Sequence, residues 1–452
     1  MKKFPKPKAG KRPRAAGIAL AACLAALFAM AGPGCTMLVE EWDVPELQLL
    51  ELDREFGTSG EARFVTADTN EFAYAGAVQS DGKIVVAGRV WNGSNHDIQV
   101  VRFNGNGSVD TAFGTGGTFI RDISGNDSAR AVVLQSNGKI VVAGVSGEGN
   151  EATSMVAIRL NADGTADTDF DTDGIVVTDT PGTYDEVRSI AVQDDGTILV
   201  GGSAYFDTTY YRDFIVARYE SNGAIDTAFG SSGFARAQFA DSPNGGDMAV
   251  QDDGKIVIAG KSGTAGKIAR FNAGGSLDTG FGSSGMVTDT MSTATAMCLD
   301  DSGRIVIAGT AGEQIAVSRY TGAGDPDAAF GTGGTVLIDV NTVSINDIHA
   351  QDGKITFLDR YYQLCRINHD GSVDGSFHAS DDEVSQYPYG QNQLYSQHPF
   401  SVRIEFGTIY YSEESTFFLR HGEKGIVIGG HADMSNNAGD EFFFLLGRIL
   451  LP

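Results

Sequence analysis

The sequence predicts an all-β fold: a seven-bladed β-propeller of four-stranded antiparallel blades, closed by an N-terminal outer strand that completes the last blade. Three observations predict it. First, three signatures recur in fixed order, seven times each: a hairpin such as Gln79-Ser-Asp-Gly-Lys83 with Ile84-Val-Val-Ala-Gly88, a strand with a central arginine such as Val101-Arg102-Phe103, and an Asp-x-x-Phe-Gly motif or near variant with Phe at 56, 113, 170, 229, 281, 330 and 377. Second, the segments alternate with period two and no helical period intervenes. Third, the chain ends are complementary. Leu52-Asp53-Arg54-Glu55-Phe56-Gly57 reads as an outer strand with no strands before it, and Leu445–Leu450 as a third strand with no fourth after it. Pairing the two removes an exposed sheet edge.

The elements follow in chain order. Residues 1–35 read as an export signal: basic residues at Lys2, Lys3, Lys6, Lys8, Lys11, Arg12 and Arg14, then a small-and-apolar run from Ala15 to Gly32. Cys35 closes that run and is the favoured lipidation site. Cys23, after Leu20-Ala21-Ala22, is the alternative, and an uncleaved anchor is the rival to both. Residues 36–47 read as a linker and 48–452 as the propeller, with an insertion at 378–414 before the last blade. Lipid at the N-terminus would tie the protein to a membrane, at the outer membrane or cell surface, or in the periplasm.

Within the repeat, the hairpin returns at Gln135–Gly144, Gln193–Gly202, Gln251–Gly260 and Asp300–Gly309, and more weakly at Gln351–Asp359 and Lys424–Gly430. Asp-Gly and Asn-Gly turns suit a type I turn closed by a left-handed glycine. The arginine of the third strand, c, precedes an aspartate by eight residues: Arg102–Asp110, Arg159–Asp167, Arg218–Asp226, Arg270–Asp278, Arg319–Asp327 and Arg366–Asp374. With the aspartate on the fourth strand, d, that spacing places the two side by side, a structural ion pair in each blade. Closure would make Arg448–Asp53 the seventh. Such a cross-strand pair contributes about 0.2–1 kcal/mol. The rival reading has the aspartates capping the turn before Phe-Gly.

The order Gln-x-Asp-Gly-Lys-Ile-Val-Val-Ala-Gly, Val-Ala-Arg-Tyr and Gly-Ser-x-Asp-Thr-x-Phe-Gly resembles the delta-60 repeat family of bacterial exported proteins, over about residues 50 to 450. That family is similar in layout to NHL-type propellers. The resemblance implies a fold and an exported address but no activity.

Composition narrows the partners. There are 33 Lys+Arg against 58 Asp+Glu, a net charge of −25, and without the seven leading basic residues the balance is −32. A nucleic-acid partner is excluded on this ground. Cys298 and Cys365 sit singly in apolar strands and read as buried free thiols. The seven histidines show no metal spacing, and no Gly-x-Ser-x-Gly elbow is present. No cofactor is called for. Asp169-x-Asp171-x-Asp173-Gly174 resembles the start of a calcium loop, but its twelfth position is Thr180, and a loop with surplus acids is the favoured reading.

The functional signal is aromatic. The loops between the second and third strands, b and c, carry Trp91, Tyr205, Phe206, Tyr210, Tyr211, Tyr361 and Tyr362, and the insertion adds Tyr387, Tyr389, Tyr395, Tyr410 and Tyr411 on the same face. Tyr and Trp offer large contact area with a polar tip, as a protein- or glycan-binding face requires. The expected function is therefore a non-catalytic binding module. The alternative is a carbohydrate-active hydrolase or lyase built on paired acids that spacing alone does not reveal.

Overall fold

A computed structural model describes residues 51–64, 70–147, 153–206, 211–263, 265–289, 293–339, 344–359, 363–377, 393–395, 401–405, 410–411, 417–420, 425–433 and 442–450. Both candidate lipidation sites, Cys23 and Cys35, lie outside these residues. The described residues contain no α-helix, and no helix long and apolar enough to cross a membrane. Their strands form seven antiparallel sheets, five of them four-stranded meanders.

Naming the strands a to d, sheet 1 is Glu71–Val78, Ile84–Trp91, His96–Phe103 and Thr118–Arg121, and sheet 2 is Ser128–Leu134, Ile140–Gly147, Thr153–Leu160 and Ile175–Thr178. Sheet 3 is Thr183–Val192, Ile198–Tyr205, Arg212–Tyr219 and Phe234–Ala237; sheet 4 is Asn244–Val250, Ile256–Ser262, Ala265–Phe271 and Met286–Asp289; sheet 5 is Thr293–Leu299, Ile305–Ala311, Gln314–Tyr320 and Thr335–Ile338. Sheet 6 holds Ile345–Gln351, Lys354–Asp359 and Gln363–Asn368, and takes Ser401–Glu405 as its outer strand, with Gln393–Tyr395 beyond. Sheet 7 is Phe417–Arg420, Gly425–Asp433 and Phe442–Leu450, and Phe442–Leu450 also pairs with the N-terminal Glu61–Phe64 and Glu51–Leu52.

Three sequence expectations change here. The Asp-x-x-Phe-Gly segment is a turn rather than strand d. After strand c a single bridge, Phe103 to Val109, closes the short hairpin, and the chain then turns through Asp110–Gly117 before strand d begins at Thr118. The motif's lone Phe is buried by packing, not by alternation, so it mimics a strand in sequence. Likewise the expected outer strand Leu52–Phe56 is replaced by Glu61–Phe64, one motif further on. The span 378–414 is also not a simple link between sheets, because Ser401–Glu405 lies inside it and pairs with strand c of sheet 6.

The apolar runs of strand b explain how the sheets stack. Ile84 and Val86 join Phe103 and Phe56 in one buried cluster, while Val85 and Ala87 join Ile98, Ile140 and Val142 in another. Alternate side chains thus feed two cores, one on each face, and every position must be apolar. The same division recurs down the chain, each cluster being shared by two successive sheets. Full burial of each such side chain contributes about 1.5–3 kcal/mol.

At the seams the backbones touch. The residue after the motif Phe donates its N–H to a carbonyl in the next sheet's c–d turn, Gly114 to Asp163 and Gly230 to Gly274 among them, at 2.7–3.1 Å across six seams. The turn glycine sits on that same N–H: a Cβ on Gly275, at φ +86°, would lie 2.6 Å from the nitrogen of Gly230. Gly303, at φ +72° in an a–b turn, has nothing near it. Gly275→Ala is therefore expected to lower stability by about 1–3 kcal/mol and Gly303→Ala by about 1 kcal/mol. Equal losses in urea denaturation would show that the seam contact carries no weight.

Candidate functional site

The seven strand-c arginines occupy the seams and are structural. Arg102, Arg159, Arg218, Arg270, Arg319, Arg366 and Arg448 each direct Nε at the aspartate Oδ2 of Asp110, Asp167, Asp226, Asp278, Asp327, Asp374 and Asp53 respectively, at 2.5–2.9 Å. The other carboxylate oxygen accepts the N–H two residues on, as from Ala228 to Asp226 at 3.0 Å. The ion pair and the turn cap thus coexist on the two oxygens of one carboxylate. Each guanidinium also lies over the fully buried motif Phe, 4.3–4.8 Å from the ring centre. Six of the seven donate across the seam to a carbonyl of the next turn, Arg218 to Ala273 at 2.7 Å and Arg448 to Gly105 at 2.6 Å.

The acids between them are biased accordingly. Burial would raise the Asp374 carboxyl, but bonds from Ser376 and Lys354 and the Arg366 charge overcome it and hold it at about 2. Asp110, Asp167, Asp278 and Asp327 are likewise held below the usual carboxylate range despite burial, by their Arg, Lys and N–H partners.

The run Asp169–Gly174, which resembles the start of a calcium loop, lies at the same seam. Asp171 stands where other repeats have the motif glycine, at φ 45°, and donates its N–H to Asn222 O. Aspartate tolerates that left-handed position better than most residues. Asp173 accepts from Ile175 N–H and pairs with Arg121, so the carboxylates of Asp169, Asp171 and Asp173 do not converge. Among the described residues the acids that do converge are Asp97, Asp122 and Asp127. Asn92 donates to Asp97, and Ile123 and Ser124 donate to Asp127, which ties the loops together.

Those loops lie at the b–c end, and the site is built just beneath them on strand a. Each strand a of sheets 1 to 6 carries a β-bulge at one position: Tyr74, Arg130, Arg188, Gly246, Thr295 and Asn346. In sheets 1 to 5 a glycine in strand b faces the bulge closely, and a Cβ on Gly88 would lie 1.7 Å from Phe72 O; sheet 6 bulges with Asp359 at that place. Bulging re-aims these side chains, and strand a of each sheet packs on strand a of the next from sheet 1 to sheet 6. Neighbours are stitched together at this level: Ser189 Oγ donates to Gly246 O at 2.7 Å, Met297 N–H to Asp247 at 3.1 Å, and Thr295 Oγ1 to Ile345 O at 2.6 Å.

From Trp91 a continuous run of rings and cations descends to these bulges. Trp91 meets His96 edge-on at 5.0 Å, and His96 meets Phe72 at 5.8 Å. The Arg89 guanidinium lies 4.5 Å from the Phe72 ring centre and 5.7 Å from that of Tyr74, and the Arg130 guanidinium covers Tyr74 at 4.1 Å. Burial pulls Arg130 below its ordinary pKa; Tyr74 and Glu186 oppose this, and the like charges of Arg188 and Arg89 add to it. Burial lowers His96, with Arg89 adding and Asn126 opposing. Burial pushes Asp247 up to about 6 against the Arg188 charge and the Met297 amide.

Of the other expected aromatics, Tyr205 is covered by Arg212 at 4.6 Å and packs edge-on against Tyr184, while Tyr211 is exposed. Tyr210, Tyr361, Tyr362 and Tyr389 lie outside the described residues, and Tyr395 is described only as backbone paired with Arg403. The two thiols of sheets 5 and 6, Cys298 and Cys365, are free, the first half-buried and the second buried. Phe72, Tyr74, Arg89, His96, Arg130 and Arg188 were not singled out by the sequence reading.

Four repeats, residues 79–113, 135–170, 193–229 and 251–281, match a family model described as "Domain of unknown function (DUF5122) beta-propeller". The chain is a β-propeller repeat protein. No curated protein matches it. Solved structures similar to the propeller include Sqt1 from Chaetomium thermophilum, at 11% identity and TM-score 0.47, covering 89% of this chain and 100% of that one. Two others are a catalytically inactive virginiamycin B lyase from Staphylococcus aureus with quinupristin (11% identity, TM-score 0.45, 86% and 98% covered) and the PQQ-bound aldose sugar dehydrogenase from Streptomyces coelicolor (13%, 0.42, 79% and 98%). None of these likenesses bears on what this propeller does.

The seam arginines give a test of the scaffold. Arg319 is 1% exposed. Replacing it with Met leaves Asp327 to Arg304 alone and takes the donor from the His369 carbonyl, at an expected cost of about 1–3 kcal/mol. Arg319→Lys keeps the charge but not the fork, and restores only part. Because Asp110, Asp167, Asp278, Asp327 and Asp374 have folded pKa values below their unfolded ones, their contribution is complete above about pH 4 and is lost as pH falls towards the folded values. The wild-type urea midpoint should therefore drop steeply from pH 4 to 2. A flat profile across that window contradicts the ion-pair account.

Proposed function

We propose that the seven sheets are the blades of a closed seven-bladed propeller, and that the protein is an exported, lipid-anchored, non-catalytic binding module whose b–c loop end captures a protein or glycan ligand. Closure is supported by the meeting of the chain ends: Asp53 N–H donates to Arg448 O at 2.9 Å, Gly57 N–H to Asn106 O in sheet 1 at 2.7 Å, and Phe56, Ala62 and Phe64 share a core with Phe417, Val427, Ile84 and Phe103. Strand a of sheet 7 also packs on the strands a of sheets 6 and 1. The delta-60 resemblance supports the same blade layout.

One observation carries the binding reading. The two ends of the propeller differ: the a–b and c–d turns are short and nearly uniform, the c–d turns bonded into the seams, whereas the b–c end carries the ring-and-cation run from Trp91 to Arg130. Aromatics locked by neighbours offer contact area at little entropic cost. Mutating Trp91 and Tyr211 together to Ser is expected to abolish capture of a partner by the immobilised protein, while moving the urea midpoint by the small amount typical of surface sites. Equal loss of capture from changes in the c–d turns would place the binding face on the other end.

The address rests on the basic-then-apolar leader and the cysteines within it. In washed-cell fractionation, Cys35→Ser is expected to release the protein into the soluble fraction and Cys23→Ser to leave it with the membrane. The reverse result would move the lipid to Cys23, and release by neither would make the leader an uncleaved anchor.

A further inference from the structure

The arginines beneath the loops say what chemistry the captured ligand presents, an inference that rests on the binding reading and narrows it. Arginine has two settings in this propeller. At the seams each guanidinium holds a carboxylate, and in six of the seven a carbonyl of the next sheet as well. Beneath the b–c loops two guanidinium groups, those of Arg130 and Arg89, lack that carboxylate among the described residues. Arg130 is stacked on Tyr74, and among the described residues no carboxylate lies within ion-pair distance of it. Arg89 lies over Phe72 and Tyr74, and its buried Nε has no hydrogen-bond partner among the described residues. Arg188 shares Glu186 with Arg212. Arg89 and Arg188 are close enough to Arg130 to repel it.

Two adjacent cations without a carboxylate partner, with Arg188 close by, are costly in the free protein. An oxyanion answers each of these features at once, taking the unpartnered Arg89 Nε–H and the free edge of the Arg130 fork in charge-assisted bonds. The rim sets a limit on size: Asp97, Asp122 and Asp127 stand in the loops above and repel an extended polyanion. We propose that Arg130 and Arg89, assisted by Arg188, bind a single carboxylate or phosphate group of a small ligand entering from the b–c end.

The test is calorimetric titration and thermal melting of the full chain with inorganic phosphate and with D-glucuronate at low ionic strength, glucose being the neutral control. At least one anion is expected to bind saturably and raise the melting temperature, with glucose inert, and whichever binds tells phosphate from carboxylate. Arg130→Gln should weaken that binding by about tenfold or more while leaving the free protein as stable or more so. Arg121→Gln, on an exposed outer strand, should change neither quantity. Silence from both anions overturns the proposal. So does undiminished binding by Arg130→Gln, or a fall in its own melting temperature with anion binding intact, which would mark the arginine as structural. The two readings fail separately. Anion binding with partner capture indifferent to Trp91 and Tyr211 removes only the loop reading, and loop-dependent capture without an anion response removes only the oxyanion site.

Discussion

The seam between successive sheets is the constraint on which the molecule depends. Apolar clusters press neighbouring sheets together, yet hydrophobic burial has no direction and would tolerate sliding. The strand-c arginine supplies the direction. One planar group bonds its own aspartate, lies on its own phenylalanine and reaches the next sheet's turn, as Arg270 does with Asp278, Phe281 and Gly322 O at 2.6 Å. A lysine offers a point charge and could satisfy one of these demands at a time. Buried ion pairs add little net stability against an apolar alternative. Their effect here is on register: the fork, together with the motif N–H beside it, admits one spacing between sheets.

That arrangement polarises the protein. The c–d turns are committed to the seams and cannot vary without loosening two sheets at once, so the repeat is most regular there. The opposite end is released from that duty. Strand a of sheets 1 to 6 carries a bulge, and the bulged residue varies among them: tyrosine, two arginines, glycine, threonine and asparagine. A rigid scaffold with one variable end is where binding chemistry concentrates.

Much of this was legible in the sequence, and the exceptions have physical causes. The eight-residue Arg–Asp spacing located the pairs because a hairpin fixes distance whatever the side chains do. It misplaced the fourth strand because one buried Phe in a turn has the hydrophobicity of a strand residue. Asp171 looked like a ligand because its backbone role, replacing a left-handed glycine, is invisible in composition. The bulge site did leave a trace. Tyr74, Arg130, Arg188, Gly246, Thr295 and Asn346 all stand five residues before the Gln or Asp that opens the a–b turn, and a glycine within the apolar strand opposite signals a bulge. Nothing in the one-dimensional pattern, however, places Arg89 and Arg130 on one tyrosine, since they come from different sheets.

The contrast between the two arginine settings isolates the site more sharply than its aromatic content does. Aromatic residues at loop ends have an ordinary structural use, and Tyr205 under Arg212 shows it. An arginine held against a ring without a carboxylate does not, because the same chain shows six times over how it completes the coordination of a buried guanidinium, with aspartate, ring and carbonyl together. Where that solution is available in every repeat and absent at one level, the omission costs stability, and stability is ordinarily given up where function demands it. The bulge at Arg130 and the glycine opposite, Gly144, whose Cβ would lie 2.0 Å from Ser128 O, keep the cation there by backbone geometry rather than by side-chain partners. Its free edge is therefore a feature the backbone maintains: among the described residues no carboxylate completes it, and the proposed oxyanion would.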